Sequence, residues 1–206
     1  MFEERSAVSF LRESSLDFRA NGVGPAKDAS DSSDSFRVSE RSVDLEAATP
    51  ADNPFLYATF ASTRLEELAV TGWSDEQKEQ FLRMQFEAQR QSYLRDIPKA
   101  EYSVIRCGSM AVGRLIVERT PSEIHIVDIA LLTKYRKQGI GSILMRRILA
   151  EAEKARKSVR LFVEKFNPAL GWYERLGFEV INTGPIYLEM TLSLGRLNIS
   201  SDSQVA

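Results

Sequence analysis

The stretch "LLTKYRKQGIGSILMRR" (131–147) joins an apolar, strand-like run to a helical pattern through a turn holding two glycines and three cations. A helix N-terminus presents free backbone N–H groups and a partial positive charge, which together bind phosphate-like anions. Glycine lets the backbone approach such an anion without an intervening Cβ. Arg136 and Lys137 add charge beside Gly139 and Gly141. Two common nucleotide readings fail on spacing. The kinase-type phosphate loop needs a Lys-Ser/Thr pair after its second glycine, and the dinucleotide fingerprint needs a third glycine where Leu144 stands. Just upstream, Asp128 interrupts the apolar run "IHIVDIALL". A carboxylate in a buried strand is costly unless it is paired or faces a cavity. Asp128 is therefore either half of an ion pair, with an arginine of a nearby strand or helix, or a functional group. Glu123 and His125 on the same run are weaker candidates.

Composition limits the alternatives. The chain has 206 residues, a net charge of −2 and a 43% hydrophobic share, enough for a real core. Near-neutral charge gives no support for a nucleic-acid surface or a polybasic membrane anchor. One cysteine, Cys107, and one histidine, His125, form neither a disulfide framework nor a usual zinc site, so no metal is expected. No run approaches the ~20 apolar residues of a membrane span. The start "MFEERSAVSF" lacks the order of a signal peptide, and the chain reads as cytoplasmic.

The elements that must position these residues lie between about residues 37 and 192. Residues 1–36, with "NGVGPAKDASDSSDS", read as a disordered or linker-like arm, and 193–206 as a flexible tail. "VDLEAAT" alternates as a strand, and Thr49-Pro50 opens a helix through 55–70 that stops near Gly72. Ser74 and Gln77 form a capping box for a helix running to about Arg95. "YSVIRC", "MAVGRLIVER" and "IHIVDIALL" read as successive antiparallel strands. Ile140, Ile143, Leu144, Ile148 and Ala152 share one helical face. "VRLFVE" is a buried strand, "NPALGWYERL" a short helix capped by Gly177, and "FEVI" and "IYLEMTL" closing strands. The order β-α-α-β-β-β-α-β-α-β-β predicts an α/β or α+β fold around one mixed sheet.

Two segments in this order resemble the GNAT superfamily of acetyl-CoA-dependent N-acetyltransferases. "RKQGIG" (136–141) matches its central motif, [RQ]-x-x-G-x-[GA], directly after a strand. "NPALGWYERLGF" (167–178) matches its second motif, and the element order is also the family's. The resemblance covers about residues 41–192 and implies a mixed, mainly antiparallel sheet. It also implies acetyl-CoA as cosubstrate. The turn residues Arg136, Lys137, Gln138, Gly139, Ile140, Gly141 and Ser142 would hold the pyrophosphate, and Leu131, Leu132 and Thr133 would pair with the pantetheine arm. Asn167 would be a further cofactor contact. The asparagine-to-tyrosine spacing is one residue shorter here than in many members, which calls for a tighter turn at "NPAL".

Acetyl transfer to an amine requires the amine to lose a proton, a donor for the oxyanion, and a proton for the leaving thiolate. The resemblance places Tyr173 as the general acid. It places Asp128 as the group that binds or deprotonates the amine, with a main-chain N–H near Leu131 as the oxyanion donor. Trp172 is read as packing. Gln85, Gln89 and Tyr93 recur at four-residue spacing and could line the acceptor site, and Arg64, Glu66 and Glu67 could form a lid. The implied activity is direct transfer of an acetyl group to a primary amine, on a small molecule or a peptide, in a ternary complex by a monomer or homodimer. The competing readings are a non-catalytic acyl-CoA-binding module on the same fold and an interaction protein using the Ser-rich arm.

Overall fold

The computed structural model describes residues 42–193. The arm at 1–36 and the tail from 194 on lie outside the described residues. The elements are β1 (Val43–Ala47), α1 (Asn53–Ser62), α2 (Leu65–Leu68), α3 (Asp75–Asp96), β2 (Glu101–Cys107), β3 (Met110–Arg119), β4 (Glu123–Leu131), α4 (Ile140–Ala155), β5 (Ser158–Glu164), α5 (Leu170–Arg175), β6 (Glu179–Thr183) and β7 (Tyr187–Leu192). The order is the predicted one with a single addition. The helix expected over 55–70 is broken into α1 and α2. Ser62 and Thr63 donate their hydroxyls to the carbonyls of Thr59 and Phe60, both at 2.8 Å, and take those carbonyls at the point where the helix stops. The Ser74–Gln77 capping box at the start of α3 is present on both sides.

The seven strands form one sheet in the order β1-β2-β3-β4-β5-β7-β6. Every neighbouring pair is antiparallel except β4 and β5, which the α4 crossover makes parallel. On one face α4 buries Ile140, Ile143, Leu144, Met145, Ile148 and Ala152 against Leu115, Ile124, Ile126, Leu161 and Met190. Burying each of these large aliphatic side chains is worth ~1.5–3 kcal/mol over exposure. The other face carries α1 and α3, which share a small core of Phe60, Ala61, Leu68 and Leu82. Among the described residues no helix is long and apolar enough to cross a membrane.

Two irregularities shape the sheet. The register between β3 and β4 jumps from Ile116↔Asp128 to Val117↔Ile126, leaving Val127 as a bulge. Before it, Ile124 and Ile126 point into the α4-side core. After it, Ile129 and Leu131 do, so Asp128 is turned to the α1/α3 face. In a regular strand Asp128 would have shared the face of Ile124 and Ile126. Secondly, β4 and β5 pair only from Glu123↔Ser158 to Ile126↔Leu161, and past that point they separate.

Candidate active site

The glycine turn is built by backbone conformation. Lys137 and Gly139 take φ of +59° and +85°, which reverses the chain twice before α4 begins at Ile140. Gly139 is the N-cap and has no side chain to offer, so no side chain caps the helix. The first intrahelical bond is Ile143 N–H to the Gly139 carbonyl at 3.0 Å, which leaves the amides of Ile140, Gly141 and Ser142 without helical acceptors. Gly141 is informative in another way. A Cβ built there would meet only Trp172, at an ordinary 3.7 Å. Packing within the protein therefore does not require this glycine, and an α-helical residue of that type costs up to ~1 kcal/mol against alanine. Around the turn, Arg136 Nε donates to the Leu131 carbonyl at 3.0 Å and Gln138 Nε2 donates to the Lys134 carbonyl at 2.7 Å.

The gap between β4 and β5 opens directly beside this turn. Leu132 N–H donates to the Val112 carbonyl on β3 at 3.0 Å. Strand alternation then aims the main-chain groups of Ile129 and Leu131 the other way, into the gap. Of the three residues 131–133 expected to carry strand-like pairing, Leu131 has its polar backbone on the open edge and Leu132 is committed to β3. Ile129 was not anticipated, because the bulge that sets this alternation has no sequence signature. Gly113, opposite Leu131, is also forced. A Cβ there would lie 2.3 Å from the Ala130 carbonyl oxygen.

On the α1/α3 face, Arg114 Nε donates to Asp128 Oδ2 at 2.6 Å, and Arg114 Nη2 donates to Gln89 Oε1 at 3.0 Å. Arg114 is 5% exposed, and the Asp128 side chain keeps 20% of its surface open. The arginine partner foreseen as one reading of Asp128 is thus present. Its own signal was legible, as a lone cation in the apolar run "VGRLIV" of β3. Tyr93 stands close by, its hydroxyl raised well above the usual tyrosine range by burial and then by the Asp128 charge. Gln89 and Tyr93 are brought to this cluster. Across the sheet, Tyr187 Oη donates to Glu164 Oε1 at 3.2 Å, an interaction with no sequence motif behind it.

Tyr173 is fixed by the end of α5. Phe178 N–H donates to the Tyr173 carbonyl at 3.1 Å and Gly177 N–H to the Glu174 carbonyl at 2.9 Å, a Schellman closure that needs the φ of +92° at Gly177. The ring packs against Trp172 and edge-on to Phe178 and is 7% exposed. Burial, and secondly the charge of Asp128, push its hydroxyl up to about 12. Asn167 Oδ1 accepts from Ala169 N–H at 2.9 Å, so its visible work is to tighten the turn into α5. His125 is buried in the sheet edge-on to Phe162, and burial and then Arg160 lower it to about 4. Among the described residues no group of three His, Cys, Asp or Glu side chains converges to hold a metal.

The comparisons with known proteins agree with this geometry. Residues 98–180 match the family model of the acetyltransferase (GNAT) domain, a span that includes both the glycine turn and the Tyr173 helix. No curated protein matches the chain by sequence. Among solved structures, the PaiA N-acetyltransferase of Thermoplasma acidophilum, determined in complex with coenzyme A, superposes with a TM-score of 0.54 at 18% identity, covering 74% of this chain and 99% of its own. An acetyltransferase of Thermus thermophilus does so with a TM-score of 0.54 at 20% identity, covering 73% of this chain and 96% of its own. The sheet order and the β4–β5 gap are those of the fold these structures share, and residues 98–180, with the uncapped turn and the Tyr173 helix, match the acetyltransferase (GNAT) domain.

Proposed function

We propose that the protein is an acetyl-CoA-dependent N-acetyltransferase that moves the acetyl group to a primary amine by direct attack in a ternary complex. The observation that carries this is the uncapped α4 N-terminus lying beside the open edge of β4. The residues present fit coenzyme A. The amides of Ile140, Gly141 and Ser142 suit a pyrophosphate, with Arg136 and Lys137 adding charge, and the spare room at Gly141 leaves space for a ligand to approach. The edge formed by Ile129 and Leu131 suits the amides of a pantetheine arm. A similar fold, that of the Thermoplasma protein, was determined in complex with coenzyme A, which supports coenzyme A as the ligand class. Acetyl-CoA bound there supplies the thioester.

The chain's own groups then divide the work. Asp128 Oδ2 is engaged by Arg114, which leaves Oδ1 for the acceptor amine, directly or through water. Main-chain N–H groups of the β4 edge near Leu131 face the acyl oxygen. Tyr173, raised to about 12, is fully protonated at neutral pH. It can therefore hydrogen-bond the leaving sulfur throughout and pass its proton as negative charge builds there. The proton lost by the amine balances the one gained by the thiol. The proposed acceptor is a small-molecule amine or a peptide amine.

The test is an amine and peptide screen with acetyl-CoA, following free thiol release and acetylated product. Amine-dependent thiol release supports the reading. Coenzyme A binding without turnover on any acceptor would establish the non-catalytic module instead.

A further inference from the structure

The break between α1 and α2 leaves a cation that the proposed mechanism does not use. Arg64 N–H donates to the Ala61 carbonyl at 3.0 Å where α1 ends, and the half-buried side chain turns back over Phe60. Its guanidinium carbon stands 4.0 Å from the centre of that ring, and Nη1 donates to Thr63 Oγ1 at 3.0 Å. Arg114 shares the ring, with its guanidinium carbon 5.7 Å from the same centre. The two cations differ in their partners. Arg114 is paired with Asp128, as Arg90 is with Glu87 and Arg160 with Glu123. Among the described residues no carboxylate pairs with Arg64. A half-buried guanidinium without an anion gives up solvation and gains no pair in return. The Thr63 hydroxyl takes Nη1 only, which leaves Nε and Nη2, a two-donor edge suited to a carboxylate or a phosphate.

This cation belongs to the reaction centre. The bulge at Val127 turns Asp128 to the α1/α3 face, the side on which Phe60 lies. On β5, Val159, Leu161 and Val163 enter the α4-side core, so alternation places Phe162 and Glu164 on the face of Asp128. Glu164 lies beyond the last β4–β5 pair, on the far lip of the gap, and accepts from Tyr187 Oη at 3.2 Å. Among the described residues no cation pairs with it. Two tyrosines lie within reach of the whole set. Asp128 raises the Tyr93 hydroxyl while Arg64 lowers it, and at Tyr187 Arg64 opposes Glu164. An acceptor carrying an amine alone would satisfy the two carboxylates and leave Arg64 without an anion. We infer that Arg64 is a specificity-determining residue that binds an anionic group of the acceptor, a carboxylate or a phosphate, while the primary amine lies between Asp128 and Glu164. The acceptor class is a small zwitterion of the amino-acid type. This rests on the acetyltransferase reading above.

The probes are ω-amino acids from glycine to 6-aminohexanoate, the alkylamine of each length with a methyl group in place of the carboxylate, and O-phosphoethanolamine. At the best length the amino acid should exceed its alkylamine in kcat/KM by roughly 10- to 100-fold, the worth of a charge-assisted pair, with the difference in KM. A higher kcat/KM for O-phosphoethanolamine than for every amino acid supports phosphate as the anion, and the reverse supports carboxylate. Arg64→Gln should abolish the preference. Arg64→Lys keeps the charge without the two-donor edge and should show an intermediate preference, and it carries the test if Arg64→Gln does not fold. A residue that only shapes the helix break would lower both members of each pair equally. Alkylamines used as well as their amino acids by the wild type, or an unchanged preference in either folded variant, would overturn the inference and leave the acetyltransferase reading standing. If no amine is turned over, that reading fails, and binding decides for Arg64. A thermal shift produced by the amino acids in the presence of coenzyme A and lost in Arg64→Gln supports the anion site, and no shift in the wild type refutes it.

Discussion

Arg114 on β3 and Asp128 on β4 are held together across the sheet, Nε to Oδ2 at 2.6 Å, and the arginine's other arm is tied to Gln89 on α3 at 3.0 Å. A single strand pair is thereby connected to the helix layer that covers it. The bulge at Val127 makes the pairing possible by turning Asp128 to the Arg114 side. Removing one member of such a pair leaves a charge 5% exposed with only Gln89 to satisfy it. Asp128→Ala should cost about 3 kcal/mol in urea unfolding. Asp128→Asn keeps an acceptor for Arg114 and should cost much less, while lowering kcat/KM for the amine roughly 100-fold. Asp128→Asn with unaltered kinetics and pH profile would place the amine-binding group elsewhere.

Tyr173 makes a different prediction, because its carbonyl and ring are pinned by the α5 closure and its hydroxyl is not needed for packing. Tyr173→Phe should therefore leave stability and coenzyme A affinity within measurement error while kcat falls roughly 100-fold, the usual worth of one proton donor. The hydroxyl is raised to about 12, so in the free protein it does not ionise as pH rises to 10. An alkaline fall in kcat/KM below pH 10 that vanishes in Tyr173→Phe would contradict this.

Which of these groups could be found by reading the sequence is itself instructive. The α4 stripe, the Ser74 capping box and the Gly177 closure are local, set by residues within a turn or two of one another, and they stand where expected. Asp128 and Arg114 were each conspicuous as charges in apolar strands, but their pairing depends on a bulge at Val127, where valine is ordinary in any strand. Ile129 and the Tyr187–Glu164 contact come from long-range register and helix placement, which leave no local pattern. The break at Thr63 was hidden because Ser and Thr stop a helix only when their hydroxyls turn back on its carbonyls.

The two glycines of the turn should respond oppositely to alanine. Gly139 has φ of +85°, so Gly139→Ala forces an L residue into the left-handed region and should cost about 1 kcal/mol of stability. It should also shrink the thermal shift produced by coenzyme A, because the α4 amides lose their aim. Gly141 has helical geometry and open space, with Trp172 at 3.7 Å from a built Cβ. Gly141→Ala should stabilise the free protein by up to about 1 kcal/mol. The motif it resembles also accepts alanine there, so coenzyme A should still bind. Equal destabilisation by the two changes would show that the turn is held by something other than the φ of Gly139.

The last prediction concerns acid stability and uses His125, which burial and then Arg160 hold at about 4, with Glu123 opposing them. In the unfolded chain a histidine titrates near 6.5. Between these values the unfolded chain binds a proton that the folded one does not, so lowering the pH favours unfolding. The contribution is fully present above about 6.5 and is lost as pH falls toward 4, amounting at most to about 3 kcal/mol. Arg160 sits between Glu123, at 2.8 Å, and Glu189, at 3.5 Å, which hold its charge beside the histidine. Two variants separate the contributions. His125→Phe cannot take up a proton, so its stability should fall far less than the wild type's between pH 7 and pH 5. Glu123→Gln removes the opposing carboxylate and should deepen the histidine's share. Urea midpoints at pH 7, 6 and 5 for the three proteins measure this. A His125→Phe protein that loses stability in parallel with the wild type would show that the histidine is not the group that titrates.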